Sequence, residues 1–266
     1  MCYNIYTMFS FTYGNLDFAH KIDACSSPTE EYFKHMHAFA EMLYLVSGDV
    51  TYTVESETRR LGPGDLVFIA PGKYHFATVN LSQSPYERYV LKFPELLIPE
   101  YLKTSLFAHA PFFAPSDSYG DIIKGLDGYE ENFTPEETNT LFSGELCKLL
   151  VFMNRAASSE RQNTNEFIDK IITYVDSHIT ESITLDSLAS AFLFSKSYIC
   201  NEFKKYMKIP VMQYIRSKKV LFAHSLILNG TKKCEAAEKV GFANYSTFFR
   251  AYQKLLKNNP FPDDNA

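Results

Sequence analysis

Between Thr184 and Leu256 the chain writes the same supersecondary pattern twice, with one long helical stretch between the copies. In TLDSLASAFLFSKSYICNEFKKYM, Leu185, Leu188, Ala189 and Phe192 recur at the spacing of a short amphipathic helix. A turn follows through Leu193 to Ser195, and a second helix is expected from Lys196, which together make a helix-turn-helix unit. On that second helix Ile199, Phe203 and Met207 share an apolar face, leaving Ser197, Cys200, Asn201, Lys204 and Lys205 opposite. Short polar and cationic side chains on an outward helical face suit a DNA major groove.

The long stretch, Val211 to Leu228, offers Tyr214, Ile215, Leu221, Phe222 and Leu226 for burial, and Asn229-Gly230 supplies a left-handed residue to end it. Ala236, Ala237 and Val240 then make another short helix, and Gly241-Phe242 turn the chain. Asn244 can cap a last helix with Phe248, Tyr252 and Leu255 inward. Its outer stripe is Ser246, Thr247, Arg250, Gln253, Lys254 and Lys257. A plain helical bundle with basic solvated faces is the competing explanation, but it does not require the pattern to occur twice.

The residues SLASAF, SKSYICNEFKKY, QYIRSKKV and AAEKVGFANYSTFFRAYQK, in this order and spacing, resemble the DNA-binding domain of the AraC family of bacterial transcription regulators. The resemblance implies base contacts from Ser197, Cys200 and Asn201 in the first unit and from Tyr245, Ser246, Thr247 and Arg250 in the second. Lys196, Lys204, Lys205, Lys218 and Lys254 flank these faces and are expected on phosphates, as is Lys219. Lys208 and Lys257 stand where the family usually has glycine, and Lys233 where an aliphatic residue is usual. A non-glycine residue in a left-handed cap costs about 1 kcal/mol, so these helix ends are expected to run on or close differently.

The formal net charge of −5 is the wrong sign for a nucleic-acid binder until it is divided along the chain. Residues 1–161 hold 12 Lys and Arg against 21 Asp and Glu, giving −9, whereas residues 162–266 hold 14 against 10, giving +4. Positive charge collected on the helical half is the electrostatic footprint of phosphate binding. The cysteines Cys2, Cys25, Cys147, Cys200 and Cys234 are scattered and form no C-x-x-C pair, which argues against a disulfide framework or a zinc cluster. The N-terminus has no signal-peptide pattern, and no apolar run approaches the roughly 18 residues of a membrane span. A cytoplasmic protein, not associated with membrane, is expected.

From Tyr3 to Phe93 the hydrophobic period is near two, in segments such as Met8–Tyr13, Met42–Val46, Val50–Val54, Leu66–Ile69 and Tyr89–Phe93. Ser47-Gly48-Asp49, Gly62-Pro63-Gly64-Asp65 and Pro71-Gly72 separate them, so an antiparallel barrel or jelly roll is expected. VSGDVTYTVE followed by RRLGPGDLVFIAPGKYHF is similar to a small-barrel cupin, the effector-binding domain that often precedes AraC-type domains. His35, His37 and Glu41, with Gly48 seven places on, match the first cupin motif in spacing; Gly64, Pro71, Gly72 and His75 match the second loosely. Even separations would bring His35, His37 and Glu41 to one face of an uninterrupted strand. Imidazoles with a carboxylate can hold a divalent metal, with His75 as fourth ligand, or can hydrogen-bond the hydroxyls of a sugar-like effector. They can also be satisfied at the barrel mouth without any ligand.

Residues 116–157 change to a helical period. Ile122, Ile123 and Leu126 mark a weaker helix, and Thr134-Pro135-Glu136-Glu137 opens a strong one through Leu141, Phe142, Leu146, Leu149, Leu150 and Phe152. The resemblance implies a dimer interface here, with intrachain packing the alternative. AASSERQNTN reads as a linker, with Asn163 and Glu166 capping the helix that follows.

The fold class is therefore α+β: an antiparallel cupin-like β-barrel over residues 1–115, a helical dimerisation segment over 116–157, a linker over 158–165, and an all-α domain over 166–266. The expected function is a bacterial DNA-binding transcription regulator responding to a small molecule, a sugar for example. The resemblance implies double-stranded DNA, the effector, RNA polymerase and a second copy as partners, with no required cofactor and no enzymatic step. The alternatives are a cupin metalloenzyme fused to a DNA-binding module, and a constitutive DNA-binding protein with a degenerate barrel.

Overall fold

The computed structural model describes residues 5–24, 34–82, 84–108, 110–156 and 164–256. Cys2, Cys25, Asn163, Lys257 and most of the expected linker lie outside these residues. By its internal contacts the chain divides into two compact units, residues 1–35 with 39–163, and residues 164–266 with the short stretch 36–38.

The first unit holds β1 (Ile5–Tyr13), β2 (Leu16–Asp23), β3 (Ala40–Ser47), β4 (Asp49–Val54), β5 (Glu57–Leu61), β6 (Leu66–Ile69), β7 (His75–Asn80), β8 (Tyr86–Phe93) and β9 (Phe112–Phe113). They pair antiparallel in a six-stranded sheet of order β1-β2-β8-β3-β6-β9 and a three-stranded sheet of order β5-β4-β7. Among the described residues these are two sheets over a shared core rather than a closed barrel. The helices of this unit are α1 (Glu100–Ala108), α2 (Asp117–Gly125), α3 (Tyr129–Asn132) and α4 (Pro135–Ala156).

The central strands are buried on both sides. Met42, Tyr44, Leu66, Phe68, Tyr89 and Leu91 face a core completed by helices, through Leu102, Ile122, Phe142, Leu146 and Leu149. The alternate residues Leu43, Leu45, Val67, Ile69 and Val90 face Val50, Tyr52, Val54 and Leu61 of the three-stranded sheet. Such strands read as continuous apolar runs rather than alternation. The helix α1 comes earlier than the sequence period suggests, directly after Pro99.

The second unit comprises α5 (Glu166–Ser177), α6 (Leu185–Phe192), α7 (Lys196–Met207), α8 (Val211–Leu228), α9 (Lys233–Lys239) and α10 (Tyr245–Leu256). The cap of α5 is Asn165, whose Oδ1 accepts from the Ile168 N–H at 3.2 Å. Thr184 and Ser187 form a reciprocal capping box on α6. Ser195 caps α7 through the Tyr198 N–H, and the Asn244 Oδ1 accepts from Ser246 and Thr247 at the start of α10. Contrary to the expectation of altered closure, Lys208 takes the left-handed conformation itself, φ 61°, and its N–H reaches the Lys204 carbonyl at 2.9 Å.

Candidate effector site and nucleic-acid interface

His35 and His75 pair through their backbones, each N–H donating to the other's carbonyl at 3.1 and 3.0 Å. The chain then bends at Ala38 and Phe39, and β3 begins only at Ala40. The uninterrupted strand expected from the even spacing is therefore absent. The bend and the bridge to β7 bring the set together instead: one ligand atom each from His35, His37, Glu41 and His75 lie within 4.8 Å of one another.

His37, Glu41 and His75 are buried and His35 partly so. Nδ1 of His75 lies 2.9 Å from the Lys73 carbonyl, which can only accept, so that nitrogen carries a proton, and in the neutral ring Nε2 is the nitrogen with the lone pair. The ring is further fixed by His35 edge-on at 4.2 Å and by Tyr52 parallel to it at 6.3 Å. Ligands about 2.1 Å from a metal stand roughly 3 to 4 Å apart, so small side-chain adjustments would close this set on a divalent cation. A separate cavity of about 510 Å³ is lined by Tyr44, Gly64, Ser116, Asp117, Asp121 and Lys124, and none of the four residues lines it.

In the second unit, α7 exposes Ser197, Asn201, Lys204 and Lys205, with Cys200 half-buried, while Ile199, Phe203 and Met207 are buried. Likewise α10 exposes Tyr245, Ser246, Arg250 and Lys254, half-buries Thr247, and turns Phe248 and Tyr252 inward. The Arg250 Nε rests on the Ser246 carbonyl of its own helix at 3.3 Å. Lys196 pairs with Asp186 at the surface and Lys205 stands 3.8 Å from Glu202, ion pairs weak enough to yield to a phosphate.

Two cations do not fit the expected role. Lys218 is only 11% exposed and holds Asp176 at 2.7 Å, beside the Tyr214 ring. Lys219 is buried, with its ammonium on three backbone carbonyls, so it cannot meet a phosphate.

Residues 24–169 match the family model described as the AraC-like ligand binding domain, and residues 188–260 match a helix-turn-helix domain. The chain belongs to the AraC family of transcription regulators. Its relatives include an uncharacterized response regulatory protein of Staphylococcus epidermidis, 28% identical over 94 residues, which are 35% of this chain and 38% of that protein. The chain thus spans well under half of that relative. The HTH-type transcriptional regulator ExsA of Pseudomonas aeruginosa is 22% identical over 246 residues, covering 88% of each chain. Among solved structures, ToxT from Vibrio cholerae aligns over 90% of this chain and 93% of its own at 14% identity, with a TM-score of 0.38.

Within this AraC-family chain some polar residues are invisible to sequence patterns because their partners are remote. The Tyr252 hydroxyl meets Nδ1 of the buried His224 at 3.0 Å and ties α10 to α8. Arg216 is exposed on α8, a cation that the alternation of apolar positions alone does not single out. No described helix is long and apolar enough to cross a membrane.

Proposed function

We propose that this protein is a cytoplasmic, sequence-specific transcription regulator without enzymatic activity, whose α7 and α10 enter successive major grooves about 34 Å apart on one face of the duplex. The observation that carries this reading is the pair of helix-turn-helix units, each with its apolar face buried and its polar face exposed, on the common helix α8. Asn201 can bond adenine bidentately and Arg250 can bond guanine. Selection of sites from random DNA should return two short blocks about one turn apart. Arg250→Ala should cost about 1 to 3 kcal/mol and relax the preference in one block, with Asn201→Ala relaxing the other. Unchanged preferences in both variants would reject the base-reading roles; a single block would reject the two-unit arrangement.

His35, His37, Glu41 and His75 are the proposed contacts of a small-molecule effector. Homodimerisation and contact with RNA polymerase belong to the same proposal. A second reading is favoured by the convergence of the four ligand atoms and by the fixed His75 tautomer: the set holds a divalent cation, as part of the effector site or as the signal itself. Zn²⁺ or Mn²⁺ added to the metal-free protein should then raise its Tm, and His37→Ala should abolish the rise. A thermal-shift screen of sugars and other metabolites, with and without the cation, separates the two readings. Absence of any shift would favour a constitutive regulator, and turnover of a ligand would favour a metalloenzyme.

A further inference from the structure

Lys219 sits midway along α8 and buries a cation that neither reading face uses. Its Nζ donates to the carbonyls of Ile179 at 2.9 Å, Glu181 at 2.6 Å and Val240 at 2.7 Å. An ammonium has three protons, so its donor capacity is used up. Two of the acceptors lie in the turn between α5 and α6 that leads into the Thr184 cap. The third is the C-cap of α9, in the other helix-turn-helix unit.

The neighbouring backbone turns sharply beside this arrangement, in the left-handed region that favours glycine. Gly241 follows Val240 with φ 76°, and a Cβ there would stand 3.6 Å from the ammonium and 3.9 Å from the Glu181 carbonyl. Burial pushes the Lys219 pKa down, opposed by the charge of Glu181, so the carbonyl dipoles must offset a real desolvation cost.

The two units otherwise rest on different parts of α8. The first meets its early turns, where the Phe203 and Tyr214 rings lie 5.3 Å apart beside buried Met207 and Val211. The second packs on Val220, Ala223 and Ile227 through Ala236, Val240, Phe248 and Tyr252. Apolar packing of each unit against α8 permits small rotations, whereas three short charge-assisted bonds to both units do not.

We infer that Lys219 is a positioning residue that clamps the entry turn of the first helix-turn-helix unit to the first helix of the second, and so sets the spacing between the two DNA blocks that the protein accepts. This rests on the two-unit reading of DNA proposed above. One inserted base pair moves a block by about 3.4 Å along the axis and about 35° around it, a change that a rigid pair of reading helices cannot follow.

The experiment uses the full chain and three sites: the one selected from random DNA, and the same site with one base pair added to or removed from the spacer. Wild type should lose at least about tenfold in affinity on both altered spacers. Lys219→Met should bind the three sites within about threefold of one another while keeping the base preference in each block. Lys219→Arg, which can still donate to the carbonyls, should recover part of the discrimination. Undiminished spacing discrimination in folded Lys219→Met would overturn the inference. Should that variant fail to fold, Lys219→Gln is measured in its place; unfolding of both would also overturn it, by making the residue a general requirement of the domain. A wild type without any two-block site would instead remove the underlying reading, and is recognised because the parent site itself fails.

Discussion

Among the described residues of the second unit, two other than glycine carry a left-handed backbone, Leu193 at φ 57° and Lys208 at φ 61°. Leu193 is also 89% exposed, so its side chain recovers little of the conformational cost through burial. Leu193→Gly should therefore stabilise the protein slightly, by up to about 0.5 kcal/mol, the left-handed penalty less the extra freedom glycine brings to the unfolded chain. Chemical denaturation checks it, and a lower midpoint would mean that Leu193 makes a contact worth more than its strain. Local chemistry of this kind is largely legible in the sequence. The Asn244 cap is readable because the side chain bonds N–H groups only two and three residues ahead. The cap of α5 is harder, because Asn163 and Asn165 both stand before the apolar run and only the chain path selects Asn165. His35, His37, Glu41 and His75 do converge, yet a bend and a bridge achieve it, and a parity rule cannot see either.

At the scale of the element, periodicity identifies an amphipathic helix but does not say what its stripe meets. The strong helix expected after Thr134 is α4, capped by the Thr134 hydroxyl and the Glu137 carboxylate in reciprocal bonds. By pattern its Leu146 and Leu149 are natural candidates for a dimer interface, but they are 2% and 1% exposed, inside the core between the helices and the six-stranded sheet. Phe11 and Phe18 of the sheet meet the Phe142 ring at 5.1 and 5.2 Å in the same core. Leu146→Glu should then destabilise the first unit by at least about 3 kcal/mol, since it buries a carboxylate among apolar groups. A clean change from dimer to monomer in sedimentation, with the unfolding midpoint retained, would contradict this. Any interface on α4 must use its outward residues, among which Leu141 and Cys147 are exposed. The doubly buried β3, β6 and β8 illustrate the same limit, because a period of two weakens where both faces of a strand are covered.

At the scale of the whole molecule the division of charge, −9 over residues 1–161 and +4 over residues 162–266, concentrates the basic side chains on the helical half. How many of them can neutralise phosphate depends on where each ammonium stands, which composition does not reveal. Lys204, Lys205 and Lys254 are exposed on the reading helices. Lys218 is held by Asp176, and Lys219 by three carbonyls. Removing one cation from a phosphate should lower the slope of log affinity against log salt by about 0.9. Lys204→Ala and Lys254→Ala should therefore each flatten that slope by about this amount and weaken all sequences alike. Lys218→Ala should leave the slope unchanged, because in the folded protein its charge is already paired and mostly withdrawn from solvent. Fluorescence anisotropy on the selected site, titrated at several salt concentrations, measures all three. An equal flattening by Lys218→Ala would mean that DNA draws Lys218 away from Asp176, and the ion pair would then be a feature of the free protein alone. A flat response in wild type would mean that this chain does not bind DNA through its phosphates at all.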